Sequence, residues 1–317
     1  MRPRRTQGTP GGQAFRIAKR SRPVPPCRAP RRYGRLVETM NGNYAMPVDA
    51  LSNGARLVAP GHAGGDPRFA LGQNFIVEWI GPSSDTRTLS SGQELMLVVH
   101  GGGATLTGAY GTLPVSADAV AILPPGEHGL SLASGGLALV LATDRPDLPV
   151  SAAINAGEPD DGRIAPTGVP YARAEPLRRP WISLIADIAP PAGNPRLRFL
   201  QSATMSINLV AYDGPRGKTA LSPHKHADIQ QGTLAIAGDY VHHLRTPWGK
   251  DANQWIADVH LPAAPGTLLL IPPELIHTTE GVGDTRHVLI DIFAPVRRDF
   301  RDKGWIANAG DYAPPPS

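Results

Sequence analysis

The apolar residues of this chain come in short runs, and that limits its fold more than any other feature. Residues 75–80, 95–99, 120–123 and 137–141 are predominantly apolar, and each run is bounded by Gly, Pro, Ser or Asp. Apolar runs of about four to eight residues between such breakers are the pattern of β-strands, since the breakers interrupt the period a helix needs. The rhythm returns at 206–210, 233–236, 240–244, 267–271 and 288–293. Two strand-rich blocks, about 74–143 and 197–293, thus flank a segment, 146–191, that holds nine prolines. Proline at this density continues neither a helix nor a central strand. The segment therefore reads as a crossover, with one short helix predicted at 181–188. Evenly spaced short strands in two similar blocks predict an all-β chain of two antiparallel jelly-roll or barrel units.

Charge bears on the partner. The 317 residues carry a formal net charge of +4 at pH 7. Residues 1–39 hold 11 basic side chains against Glu38 alone, which leaves 20 basic against 26 acidic in residues 40–317. The excess positive charge thus sits in a Pro/Gly/Arg-rich segment without apolar periodicity, expected to be a disordered tail. Such a tail is read as a transit peptide, a basic arm or incidental upstream sequence, with the last preferred and the folded chain expected to begin near Met40 or Met46. Nucleic acid is not an expected partner, because charge alone gives only salt-sensitive, sequence-blind binding. One cysteine, Cys27, forms neither a disulfide framework nor a thiolate cluster. No apolar run approaches the ~20 residues of a membrane-spanning helix. A cytoplasmic protein without membrane contact is the expectation.

Six of the ten histidines lie between 224 and 277. His224 and His226 form an H-x-H pair, and residues two apart on a strand point to one face. Gln231 and Gly238 follow, and Gly266, Pro272, Glu274 and His277 make up a second group. Two imidazoles from one strand and a third from a neighbouring hairpin can enclose a metal ion while leaving one side open. The metal ligands read from the sequence are His224, His226, Gln231 and His277, with Asp228 and Gln230 as weaker substitutes for Gln231. His242 and His243 are adjacent on a strand and face opposite ways, so one of them should point into the barrel. His62, His100 and His287 are read as structural or exposed.

These spacings resemble the two-part signature of the cupin superfamily. The chain has H-x-H-x4-Gln-x6-Gly and Gly-x5-Pro-x-Glu-x2-His. The opening glycine is displaced to Gly217, Gln231 stands at the acidic ligand's position, and Glu274 stands at a glycine position. The template also slides onto the first block, through Glu94 and Gly101 and then Asp118, Pro124 and Gly126. There the H-x-H positions fall on Thr88 and Ser90, the last histidine position on Gly129, and His128 is one residue out of phase. The resemblance covers roughly 70–300 and implies two cupin (jelly-roll β-barrel) domains in tandem. The expected division is a tail at 1–39, a degenerate N-terminal cupin at 40–145, a linker at 146–195 and a metal-bearing C-terminal cupin at 196–317. A homodimer is also implied, because cupins commonly pair sheets across subunits.

Three neutral imidazoles and a neutral amide leave a divalent ion its full charge, a good Lewis acid for a carbonyl, hydroxyl or enediolate oxygen. Fe, Zn, Ni and Mn all suit that ligand set. The chain resembles bicupins that isomerise ketouronates and deoxyglucuronates, which implies isomerisation or ring opening of a small carbohydrate acid. Proton transfer is assigned to Glu274 and to whichever of His242 and His243 faces inward, with Arg245 pairing a substrate carboxylate. The substrate is expected to be a small molecule, anionic or polyhydroxylated. An Fe(II)-dependent ring- or diketone-cleaving dioxygenase and a non-enzymatic sugar-binding cupin are the competing readings.

Overall fold

The structure is a computed structural model and describes residues 48–60, 68–83 and 85–315. The basic segment 1–39, Cys27, Met40, Met46 and His62 lie outside the described residues.

Both blocks fold as jelly rolls, with the same strand order. The first contains Ile76–Ile80, Arg87–Ser91, Leu95–His100, Ala104–Gly108, Gly111–Val115, Ala119–Leu123, Gly126–Leu132 and Leu137–Ala142. Counted in that order, one sheet runs first–eighth–third–sixth and the other second–seventh–fourth–fifth. The second block repeats this with Ser206–Asp213, Gln231–Ala237, Asp239–Arg245, Val259–Ala263, Leu268–Ile271, Ile276–Val282 and Arg286–Phe293. In it the place of the second strand is taken by an isolated bridge between His224 and His277. Closing two sheets face to face leaves few free edges, which is the benefit of this architecture.

Strand alternation explains the uninterrupted apolar runs. In Leu95–His100, Leu95, Leu97 and Val99 fill the first barrel, while Met96 and Val98 point out of it. Those outward residues pack against Ile207, Leu209, Leu234 and Ile290, the outer face of the second barrel's large sheet. A sheet buried on both faces needs no polar alternation. Gly232 shows how closely the two barrels meet, since a Cβ there would lie 2.8 Å from Cζ of Phe75.

Strand pairing crosses the sequence blocks. Val48–Ala50 and Arg56–Val58 extend the second barrel's large sheet, where Arg56–Val58 pairs with Leu268–Ile271. Residues 181–188 form no α-helix. Trp181–Leu184 is instead a strand paired with Ala119–Leu123 at the first barrel's edge, and a single 3-10 turn follows at Ile185–Asp187. The free edge of Ala119–Leu123 gives these residues a row of hydrogen-bond partners, and this overrides the helical reading.

The first barrel's interior is apolar where the second barrel's is polar. Register makes the comparison direct, because Thr88 pairs with Gly129 as His224 pairs with His277. Likewise Leu95 lies opposite Leu123, just before Pro124, as Gln231 lies opposite Ile271, just before Pro272. The four ligand positions therefore hold Thr88, Ser90, Leu95 and Gly129, which offer no imidazole and no carboxylate. Glu94, one position away, instead accepts from the Tyr312 hydroxyl at 2.8 Å and the Ala203 amide at 2.9 Å. It ties the C-terminal segment to the first barrel. His128 is buried between Tyr110 and the Pro124 carbonyl.

Candidate metal centre

Three strands of the large sheet line one side of the site, and one of them carries Gln231. On Gln231–Ala237, Gln231, Thr233 and Ala235 face the barrel, while Leu234 and Ile236 face the neighbouring barrel. On Arg286–Phe293 the inward residues are Leu289, Asp291 and Phe293, and on Ser206–Asp213 they include Asn208, Val210 and Tyr212. His277 comes from the opposite sheet, where the bridge sets it beside His224. Together they surround a cavity of about 540 Å³.

Among the described residues, one group of three His, Cys, Asp or Glu side chains can hold a metal: His224, His226 and His277, with one ligand atom from each within 4.8 Å of the others. His224 is exposed, His226 half-buried and His277 buried. The oxygen of Gln231 joins them, 2.9 Å from Nε2 of His226 and 3.1 Å from Nε2 of His277. Two ligands each about 2.1 Å from one ion at a right angle lie about 3.0 Å apart, so these separations suit adjacent ligands.

The hydrogen bonds behind the donors aim them. Nδ1 of His277 donates to the Leu275 carbonyl at 2.8 Å, and Nδ1 of His224 donates to the Ser222 carbonyl at 2.9 Å. Each Nε2 is thereby left as a lone pair directed into the site. The amide nitrogen of Gln231 donates to Thr233 Oγ1 at 2.8 Å and Asp291 Oδ1 at 3.0 Å. That leaves the Gln231 oxygen facing the histidines. Burial, and next the proximity of His224, lowers the pKa of His277 to about 4, so it is neutral at pH 7. Two acceptors, His277 Nε2 and Gln231 Oε1, thus face each other with no hydrogen between them. A cation between them removes that conflict, and the donor set fits one divalent ion.

His226 differs from the other two. The Arg297 guanidinium donates to its Nδ1 at 2.8 Å, and a guanidinium has no acceptor to offer in return. Burial, and after it Arg297, lowers the His226 pKa to about 3. With an ion on Nε2, Nδ1 would carry the proton and would face Arg297 donor to donor, so metal loading favours release of this guanidinium. Arg297 otherwise pairs with Asp299 at 2.7 Å and packs over Phe300, 4.4 Å from the ring centroid.

The other side chains singled out from the sequence are placed as follows. Arg245 points outward and pairs with Asp258, Nε to Oδ1 at 2.9 Å, so it does not line the cavity. The reason is alternation, since Arg245 shares the outer face with His243. His243 meets His260, Nδ1 to Nδ1 at 2.7 Å, and Glu280. His242 faces inward but is enclosed, bonded to Thr279 Oγ1 at 2.9 Å, and burial lowers its pKa to about 3. Glu274 is half-buried and ion-paired with Lys225, and its backbone amide donates to the His226 carbonyl at 2.7 Å. It adopts φ 68°, the left-handed conformation that suits the glycine of the signature. Gly238 has φ 83° at the hairpin turn after Ala237. Gln230 accepts from the Gln73 amide, and the Asp228 carbonyl accepts from the Ala165 amide, so each contact lies outside the triad.

Asp291, Thr233, Asn208, Arg196, Arg216 and Arg297 escaped the sequence reading. For Asp291 a signal existed: an acid inside the apolar run 288–293 must be buried with partners. It accepts from Thr233 at 2.9 Å and from Asn208 at 3.1 Å, and burial still raises its pKa. The arginines carry no comparable signal, because they reach the cavity from loops and strand ends.

No family model matches the chain, and no curated protein matches it. Among solved structures, AerE from Microcystis aeruginosa is similar over 78% of this chain and 95% of its own, at 11% identity and TM-score 0.46. Oxalate decarboxylase from Lactobacillus farciminis is similar over 75% of this chain and 86% of its own, at 12% identity and TM-score 0.46. A mutant of Bacillus subtilis oxalate decarboxylase is similar over 76% and 72%, at 12% identity and TM-score 0.45. No helix among the described residues is long and apolar enough to cross a membrane.

Proposed function

We propose that this chain is a metal-dependent enzyme that isomerises, or opens the ring of, a small carbohydrate acid. The observation that carries the reading is the opposed pair of acceptors at 3.1 Å, His277 Nε2 and Gln231 Oε1, inside an open-mouthed cavity. His224, His226, Gln231 and His277 would hold the ion. When bound, the ion supplies Lewis acidity to a substrate oxygen. Asp291 and Thr233 keep the Gln231 oxygen turned toward the ion, and the Leu275 and Ser222 carbonyls hold two of the imidazoles in the ligating tautomer. Phe199, Phe293 and Phe300 line the cavity and exclude water from part of it. For the proton step, Glu274 is the carrier at the rim, beside the cavity-lining Lys225. The functional assembly is proposed to be a homodimer.

Metal analysis of the purified protein, combined with oxygen uptake on candidate substrates, tests this. The expected result is one Zn, Ni or Mn per chain with oxygen-independent turnover of a ketouronate, and loss of both metal and turnover in His277→Ala. Bound Fe(II) with substrate-dependent oxygen uptake would replace the isomerase by a ring- or diketone-cleaving dioxygenase, which the same neutral ligands suit. Stoichiometric metal retained in His277→Ala would refute the site itself.

A further inference from the structure

The cavity and the body around it differ in charge. Residues 40–317 are net acidic, with 20 basic against 26 acidic side chains, yet the cavity wall presents five cations against Asp291 and Asp299. Three of the five have carboxylate partners: Arg297 and Lys303 share Asp299, and Lys225 pairs with Glu274. The other two are Arg196 and Arg216.

Arg216 is held entirely by neutral acceptors. It donates to the Thr279 carbonyl at 2.9 Å, the Ala220 carbonyl at 3.0 Å and Ser222 Oγ at 3.2 Å, while its buried Nε has no partner. Arg196 sits over the ring of Tyr212, 5.6 Å from the centroid, and no carboxylate among the described residues pairs with it. The two guanidiniums are close enough for Arg196 to depress the pKa of Arg216, after the larger effect of burial. Two like charges on one cavity wall repel each other, and the carboxylate that acts on Arg216, Asp291, is a smaller influence than Arg196 and is already bonded to Gln231, Thr233 and Asn208. An anion seated between the guanidiniums relieves the repulsion. The same wall leads directly to the metal centre, because Ser222 also gives its carbonyl to Nδ1 of His224.

We propose that Arg196 and Arg216 together seat a carboxylate of the substrate, while other oxygens of the same molecule reach the histidine triad. This rests on the metal-site reading above and adds the residues that select the acid. It also relocates the selection from Arg245, whose guanidinium is already taken by Asp258 on the outer face. A cavity of about 540 Å³ accommodates one sugar ring with its substituents. The Tyr212 ring, its centroid 5.6 Å from Arg196 Cζ, helps to hold that guanidinium at the wall.

Calorimetric titration of the metal-loaded full-length chain tests this, with D-glucuronate, D-glucose and D-glucose 6-phosphate as probes. Glucuronate is expected to bind at least ~10-fold tighter than glucose, the difference of one charge-assisted bidentate contact. Arg196→Gln should remove that advantage, leaving glucose affinity, metal stoichiometry and melting temperature unchanged, and Arg196→Lys should restore part of it. Equal binding of glucuronate and glucose overturns the proposal, as does full glucuronate affinity in Arg196→Gln or failure of all three probes to bind at millimolar concentration. Tighter binding of the phosphate ester than of glucuronate overturns the carboxylate in favour of a phosphate. Arg196-dependent glucuronate binding without turnover of any uronate would sink the isomerase reading and leave this one standing.

Discussion

At the scale of single residues, the centre depends on an amide whose two ends face different partners. Gln231 offers its oxygen to the histidines because Asp291 and Thr233 accept from its nitrogen. Replacing Asp291 with Ala frees the amide to rotate, and loss of such an outer partner typically weakens metal binding about 10–100-fold. Competition with a chelator reads this directly, and an unchanged dissociation constant would show that the carboxylate does not orient the ligand. The buried imidazoles have a second consequence. His226 and His242 have pKa values pushed down to about 3 and His277 to about 4, in each case mainly by burial. An unfolded histidine titrates near 6.5, so below that pH the unfolded chain binds protons that the folded chain does not. Stability of the metal-free protein is therefore complete above about pH 6.5 and falls as pH drops toward 4. The loss is up to about 1.4 kcal/mol per pH unit for each of the three groups. Urea unfolding between pH 7.5 and 4.5 measures the slope, and His242→Gln, which leaves the triad intact, should reduce it by one proton's worth.

At the scale of elements, each strand does two jobs through alternation. Gln231–Ala237 sends Gln231 and Thr233 to the site and Leu234 and Ile236 to the other barrel, so its register fixes both at once. A slip by one residue would put Gln231 into the apolar interface and Gly232 into the site. The spacing was legible in the sequence, with Gln231 five residues beyond the H-x-H pair and Gly238 at the hairpin turn, but the pair itself lies outside any strand, with His224 joined to His277 by an isolated bridge. Asp239–Arg245 shows the limit of the same rule. Alternation says that His242 and His243 face opposite ways, and it puts Arg245 on the side of His243. It does not say which side is the barrel. The partners across the sheet decide that, since His242 pairs with Thr279 and Leu244 with His277. Glu94 is a similar case, because register with Ala119–Leu123 aligns Leu95, not Glu94, with Gln231.

At the scale of the whole molecule, the two jelly rolls share one apolar interface, and the second takes in strands from the chain ahead of the first. Arg56–Val58 completes the second barrel's sheet, and Glu94 in the first barrel binds Tyr312 near the far end of the chain. The fold is therefore expected to unfold as a unit. Val98 is fully buried between the barrels, far in sequence from every ligand. A lone charge buried there costs several kcal/mol, a large share of the roughly 5–15 kcal/mol that stabilises a typical native protein. Val98→Asp should abolish metal stoichiometry along with the fold, whereas Thr105→Asp, on an exposed position of the first barrel, should leave both intact. One metal per chain in Val98→Asp would mean that the second barrel folds independently of the first.

The sequence by itself determined the two strand-rich blocks and the spacing of the four side chains proposed to hold a metal in the second, which have no counterpart in the first. Those properties are local, written in apolar runs, breakers and short spacings along one strand or hairpin. Only the tertiary structure decided the lining of the cavity. Asp291, Arg196, Arg216 and Arg297 converge on the quartet from segments up to about a hundred residues apart in the chain, brought together by sheet pairing and by loop paths. Spacing along the chain does not encode a meeting of that kind. For that reason the proposed metal ligands could be named from the sequence, whereas the residues proposed to recognise the substrate could not.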